Sequence, residues 1–142
     1  MSEVGALDDT IVACIKTPNH DYAIRFDDLD VLVEVEADRG RVVLSCEIGT
    51  PLHARAAEVY ETMLSYNLLW RATGGLRLAL TGRGGAALQL ADLAGEEINA
   101  RQIATVAVNL AGLTRIWQAY LDGEADDRSL PLPYDLATAI RA

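Results

Sequence analysis

Val31-Leu32-Val33-Glu34-Val35-Glu36-Ala37-Asp38-Arg39-Gly40-Arg41-Val42-Val43-Leu44-Ser45-Cys46-Glu47-Ile48 has the two-residue period of paired strands. Val31, Val33 and Val35 share one side, and Val42, Leu44, Cys46 and Ile48 repeat the pattern after a break. Asp38-Arg39-Gly40 is turn chemistry, so the two runs predict an antiparallel hairpin. Upstream, Tyr22, Ile24 and Phe26 alternate in the same way and end at Asp27-Asp28, which makes a three-stranded meander. Its other side mixes Leu32 and Val43 with Arg25, Glu34, Glu36, Ser45 and Glu47, and is therefore only partly polar.

Outward from the meander the period changes. Before it, Asp8-Asp9-Thr10 offers N-cap residues for a short helix carrying Ile11, Val12, Cys14 and Ile15 and stopped by Pro18. Such a helix is too short to stand without packing on something else. After it, Pro51 and the run from Leu52 to about Trp70 take helical spacing until Thr73-Gly74-Gly75. This helix carries two apolar stripes about 100° apart. One holds Ala57, Tyr60 or Glu61, Leu64 and Leu68; the other holds Val59, Met63, Tyr66 and Trp70. One stripe serves the chain's own core, and the second argues for contact with another subunit or domain, which in a one-domain chain means a dimer interface.

Leu76, Leu78 and Leu80, then Ala86, Leu88 and Leu90, alternate around Thr81-Gly82-Arg83-Gly84-Gly85 and predict a second hairpin. A long helix closes the domain, with Asn99 as N-cap, Gln102 three residues on, and Ile103, Val106, Leu110, Leu113, Trp117 and Leu121 on one stripe before Gly123. The expected fold is α+β: a single twisted antiparallel five-stranded sheet with helices packed on it, in the order α-β-β-β-α-β-β-α. Residues 1–123 form one domain, and residues 124–142, with Leu130-Pro131-Leu132-Pro133, read as an irregular tail. Leu136 to Arg141 is compatible with one added helical turn.

The 142 residues suffice for one core, and 51% hydrophobic with 23% charged residues is the composition of a soluble globular domain. The formal charge is −9, which disfavours nucleic acid and anionic lipid as partners. The charge is uneven: residues 1–50 hold eleven acids and four bases, whereas residues 51–121 hold five and six. The acidic first third favours a neutral or basic partner. No apolar run approaches the ~18 residues of a membrane span, and the acidic start is unlike a signal peptide, so the expected address is cytoplasmic.

Residues with catalytic or ligating chemistry do not cluster. Gly82-Arg83-Gly84-Gly85 lacks the Lys-Ser/Thr of a phosphate loop and reads as a turn. His20 and His53 are far apart and without metal spacing, and Asp27, Asp28 and Asp30 lack the pattern of a calcium loop. Cys14 and Cys46 read as small buried hydrophobes, and Ser45 and Ser65 stand outside any nucleophile motif. The reading is a non-enzyme without cofactor or metal. What is left over is apolar surface, which suits binding of extended polypeptide by strand addition and apolar grooves.

Glu58-Val59-Tyr60-Glu61-Thr62-Met63-Leu64-Ser65-Tyr66-Asn67-Leu68-Leu69, then Gly74-Gly75-Leu76-Arg77-Leu78-Ala79-Leu80 and Ala87-Leu88-Gln89-Leu90, resembles the class I type III secretion chaperones of the CesT/Tir chaperone family. That family shows a similar Leu-Leu-X-X-Asn ending to the central helix, a Gly-rich turn, a Leu-rich hairpin and a closing helix with Trp near its end, here Trp117. The resemblance runs from about Thr10 to Leu121. It implies a homodimeric cytoplasmic chaperone that, without ATP, keeps the N-terminal segment of a secreted effector soluble and extended, with the secretion-system ATPase as a further candidate partner. It also implies that the central helix lines the dimer interface, through the stripe Val59, Met63, Tyr66 and Trp70, and that the first helix and the sheet form effector grooves, with Ile11, Ile15, Leu32 and Val43 as candidates. The family's first helix is longer than the one expected here, and Thr17-Pro18-Asn19-His20-Asp21 stands where an acidic-Gly turn is usual. The competing assignment is a regulatory or interaction module outside secretion that uses the same fold.

Overall fold

The computed structural model describes residues 4, 7–19, 21–69, 71–96, 98–126, 128 and 130. Six strands form one antiparallel sheet: β1 (Ala13–Lys16), β2 (Tyr22–Arg25), β3 (Asp30–Glu36), β4 (Arg41–Gly49), β5 (Arg77–Leu80) and β6 (Ala87–Ala94). Helix α1 (Ala56–Leu68) lies between β4 and β5, and α2 (Ala100–Leu121) closes the domain. The spatial order is β1-β2-β3-β4-β6-β5. The meander and the second hairpin thus join through the β4–β6 pair.

The α+β class and antiparallel sheet match the sequence reading, but the sheet has six strands rather than five, and the first element is β1 instead of a helix. The Asp8 carboxylate accepts from Thr10 N (2.8 Å), so the capping signal is present, yet it closes a turn. Ile11, Val12 and Ile15 are β-branched and prefer extended backbone. A pairing edge on β2 takes the segment up, with Cys14 opposite Ile24 and Ile15 opposite Ala23. The Pro18 stop is part of the β1–β2 turn, which Thr17 N closes on Asp21 O at 2.8 Å. His20 lies outside the described residues.

The central helix begins at Ala56, later than the expected Leu52, because no side chain caps it and His53–Arg55 wind into a tighter 3-10 turn. In contrast, Asn99 Oδ1 accepts from Gln102 N and Gln102 Oε1 from Asn99 N, a reciprocal capping box that fixes the start of α2 where the sequence puts it. In the β5–β6 hairpin Thr81 N bonds Ala86 O (2.9 Å), and Gly84 sits at φ +67°, a conformation L side chains avoid.

α2 covers one face of the sheet. Its buried stripe from Ile103 to Leu113 packs on Ile24, Val31, Val33, Val42, Leu44, Cys46 and Ala91 to form the main core, with Val4 and Ile11 of the N-terminal segment included. A second, smaller core gathers Val59, Met63, Leu78, Trp117, Tyr120 and Leu121 where α1 meets the end of α2. Trp117 stands edge-on to Tyr66 and to Tyr120, with centroids at 5.1 and 5.9 Å. Tyr120 also takes the Arg55 guanidinium on its ring at 4.9 Å and a hydroxyl bond with Thr62 at 2.8 Å. After Gly123 the chain returns Leu130 into this core, so part of the stretch read as a tail packs on the domain. Residues 131–142, with Pro131, Leu132, Pro133 and Leu136 to Arg141, lie outside the described residues.

Candidate functional site

Because strands alternate sides, the β-ladders define what the sheet shows to the face that the helices leave bare. One row of paired residues crosses all six strands: Ile15, Ala23, Leu32, Ser45, Leu90 and Arg77. The next row carries Glu34, Val43 and Asp92. Ala23, Leu32 and Val43 belong to neither core. Ile15 and Leu32 nonetheless stand 40% and 44% exposed, while Ala23 and Val43 are buried between their neighbours and form the floor of the patch.

Five acids, Asp30, Glu34, Glu36, Glu47 and Asp92, share this face with three arginines, Arg25, Arg41 and Arg77. Two of the arginines are already engaged. Arg25 forms a two-bond pair with Asp30 (3.0 and 3.1 Å). Arg41 does the same with Glu36 (2.9 and 3.1 Å) and reaches Asp92 at 3.3 Å. The hydrogen bonds from Arg41 hold the Glu36 carboxyl below its ordinary pKa. Glu34 and Glu47 have no ion-pair partner among the described residues, so the apolar row lies in a negative surround.

Of the four sequence-derived groove candidates, Ile15, Leu32 and Val43 come together on this face. Ile11 does not: it is buried in the main core beneath β2 and α2, because the segment before β1 turns inward.

Within the chain, the α1 stripe assigned to the interface faces inward. Val59 and Met63 are buried in the second core and Tyr66 packs on Trp117, since the end of α2 supplies an aromatic bed for that stripe. Trp70 lies outside the described residues. The stripe facing outward is the other one, with Leu64 and Leu68 exposed by 69% and 82% beside Tyr60. Between it and β5 runs an apolar groove of about 420 Å³ lined by Tyr60, Met63, Leu64, Asn67, Leu78, Ala79 and Leu80. Sequence reasoning found both stripes but not which one α2 covers.

Among the described residues no group of His, Cys, Asp and Glu is placed to hold a metal ion. Burial pushes the Cys14 and Cys46 thiols above their ordinary pKa, which keeps them protonated. No helix among the described residues is long and apolar enough to cross a membrane.

The fold is an antiparallel sheet with one face committed to the core and, among the described residues, the other left uncovered. The sequence matches the model of the Tir chaperone protein (CesT) family over residues 16–118, and the chain belongs to that family. The matched span begins at the last residue of β1 and leaves the N-terminal segment outside it. Among solved structures, the fold is similar to one in the crystal structure of the ExsC–ExsE complex, with TM-score 0.64, 16% identity, and 77% of this chain and 81% of that chain covered. It is also similar to one in the HopA1–SchA chaperone–effector complex, with TM-score 0.55, 15% identity, and 79% and 89% covered. No protein of curated function matches the sequence.

Proposed function

We propose that this chain is a type III secretion chaperone that binds the N-terminal segment of a secreted effector and keeps it soluble, extended and competent for secretion, in the cytoplasm and without ATP. The observation that carries the proposal is the apolar row across the uncovered face, Ile15, Leu32 and Leu90 over a floor of Ala23 and Val43, in a chain of the Tir chaperone protein family. An extended segment crossing the strands meets Ile15, Leu32 and Leu90 on every second strand, at about twice the strand spacing or roughly 10 Å, and the unpaired Glu34 and Glu47 favour basic residues beside them. Ile11 serves this surface indirectly, by holding the lead-in to β1 against the core. In this reading two copies associate through the outward stripe of α1, with Leu64 and Leu68 filling the groove beside β5, while Val59, Met63 and Tyr66 brace the helix from within. The secretion-system ATPase is a further partner in the same reading.

Capture of the tagged chain from its native cells at low salt, followed by light proteolysis and mass spectrometry, tests the proposal. The expected result is a larger protein held through a protected segment of roughly 50–100 residues near its N-terminus, the scale of coupled ordering over a large surface. Protection of an intact folded domain instead would replace secretion by the regulatory-module assignment.

A further inference from the structure

β5 ends the sheet opposite β1, and an edge strand displays unpaired N–H and C=O groups that invite pairing with another chain. In an antiparallel ladder alternate residues turn those groups away from the partner strand. At Leu78 they point away from β6 and meet one side chain: Leu78 N donates to Asn67 Oδ1 (2.8 Å), and Asn67 Nδ2 donates to Leu78 O (2.7 Å). The carboxamide thus reproduces both bonds that a neighbouring strand would make. The preceding outward position is occupied as well, since Leu76 N reaches Thr73 O and Thr73 Oγ1 reaches Leu76 O, both at 3.4 Å.

Open grooves lie on both sides of this contact. One is bounded by Tyr60, Met63 and Leu64, the other by Arg77 and Leu90, and Asn67 belongs to the wall of each. α1 runs beside β5, with Met63 packed on Leu78, and Asn67 in its last turn closes the outward backbone of β5 at Leu78. The opposite edge lacks such a device: among the described residues no side chain bonds the backbone of Ala13–Lys16.

We propose that Asn67 is an edge guard, a positioning residue whose side chain stands in for a seventh strand and prevents β5 from pairing with β5 of a second copy. Copies of the chain then meet by side chains alone, and strand addition is left to the β1 edge. The proposal does not depend on the secretion reading, because its test needs only this protein.

Full-length Asn67→Ala is compared with the wild-type chain by sedimentation velocity over a concentration series. The expected result is a folded variant that stays associated at roughly tenfold lower concentration than the wild type, and so shows excess mass there, because pairing of two β5 edges adds backbone bonds to the contact. Adding Ala79→Lys, a charge in the middle of the open edge, removes the excess mass. A folded Asn67→Ala with wild-type mass throughout overturns the proposal, and so does excess mass that survives Ala79→Lys. A second measurement needs no variant: hydrogen exchange at the Leu78 amide of the wild-type chain is protected equally at all protein concentrations if the bond is to Asn67. Protection that grows with concentration means that β5 already pairs between copies, and overturns the guard.

Discussion

Val43 and Leu44 are neighbours in β4 and live in different environments. Leu44 points into the main core under α2, fully buried beside Val33 and Ala91, whereas Val43 is on the uncovered face between Glu34 and Asp92. In β3 and β4 the covered face carries Val31, Val33, Val42, Leu44 and Cys46, whereas the bare face carries Leu32 and Val43 among charged and polar side chains. On the covered face each apolar group meets a helix, and its removal leaves a cavity. On the bare face Ile15 and Leu32 belong to neither core, and the apolar area they leave exposed is open to a partner. The comparison teaches that alternate residues of the same strands divide between the core and a surface that the proposed function assigns to binding.

The largest expected effect lies on the covered face. Leu44→Ala costs about 2–5 kcal/mol in urea denaturation, the range for a buried Leu that leaves a cavity, while Leu32→Ala on the same sheet stays within about 0.5 kcal/mol as an exposed substitution. Leu32→Asp reverses the ranking in binding: the chain keeps its melting temperature, and calorimetry shows at least a tenfold loss of affinity for the effector segment, about 1.4 kcal/mol. Equal loss of stability from Leu32→Ala and Leu44→Ala would erase the distinction between the faces. Next comes the cover itself. Asn99→Ala removes the acceptor for Gln102 N and half of the capping box, and lowers stability by about 1 kcal/mol without altering partner affinity.

The smallest effect is electrostatic. Hydrogen bonds from Arg115 hold the Asp28 carboxyl below its ordinary pKa and tie α2 to the β2–β3 turn at 2.7 and 2.8 Å. A depressed carboxylate pKa stabilises the fold above the unfolded value and loses that contribution as pH falls through the folded one. Stability therefore drops on acidification below about pH 4, and Arg115→Met flattens that acid limb while leaving the alkaline side unchanged. Both partners are largely exposed, so the difference is small. An acid limb identical in the variant would assign it to other carboxylates.

The strand pattern of β2, β3, β4 and β6 was legible because the two-residue period is written directly in Ile24, Val31, Val33 and Leu44. The start and stripe of α2 were legible for the same reason, with Asn99 and Gln102 as local punctuation. β1 was not, because Ile11, Val12, Cys14 and Ile15 fit a helical face as well as a strand, and the open edge of β2 decides between them. The inward stripe of α1 was hidden too. Val59-Met63 and Leu64-Leu68 look alike in sequence until Trp117 and Tyr120, more than fifty residues away, cover one of them. Of the candidate surface, Leu32 and Val43 were readable as apolar residues on a polar side, but their meeting with Ile15 in two adjacent rows depends on register between strands. Asn67 stood in the quoted helix ending, and only the fold shows that it reaches the backbone of β5.

The most direct test of the central claim is paired capture from native cells with the tagged wild-type chain and with its Leu32→Asp form, each trimmed by light proteolysis. The account predicts that the wild type retains an N-terminal segment of a larger secreted protein and that the variant, equally folded by circular dichroism, retains none. Equal retention by both forms, or a protected fragment that is a complete folded domain, would contradict a chaperone working through the bare face of its sheet.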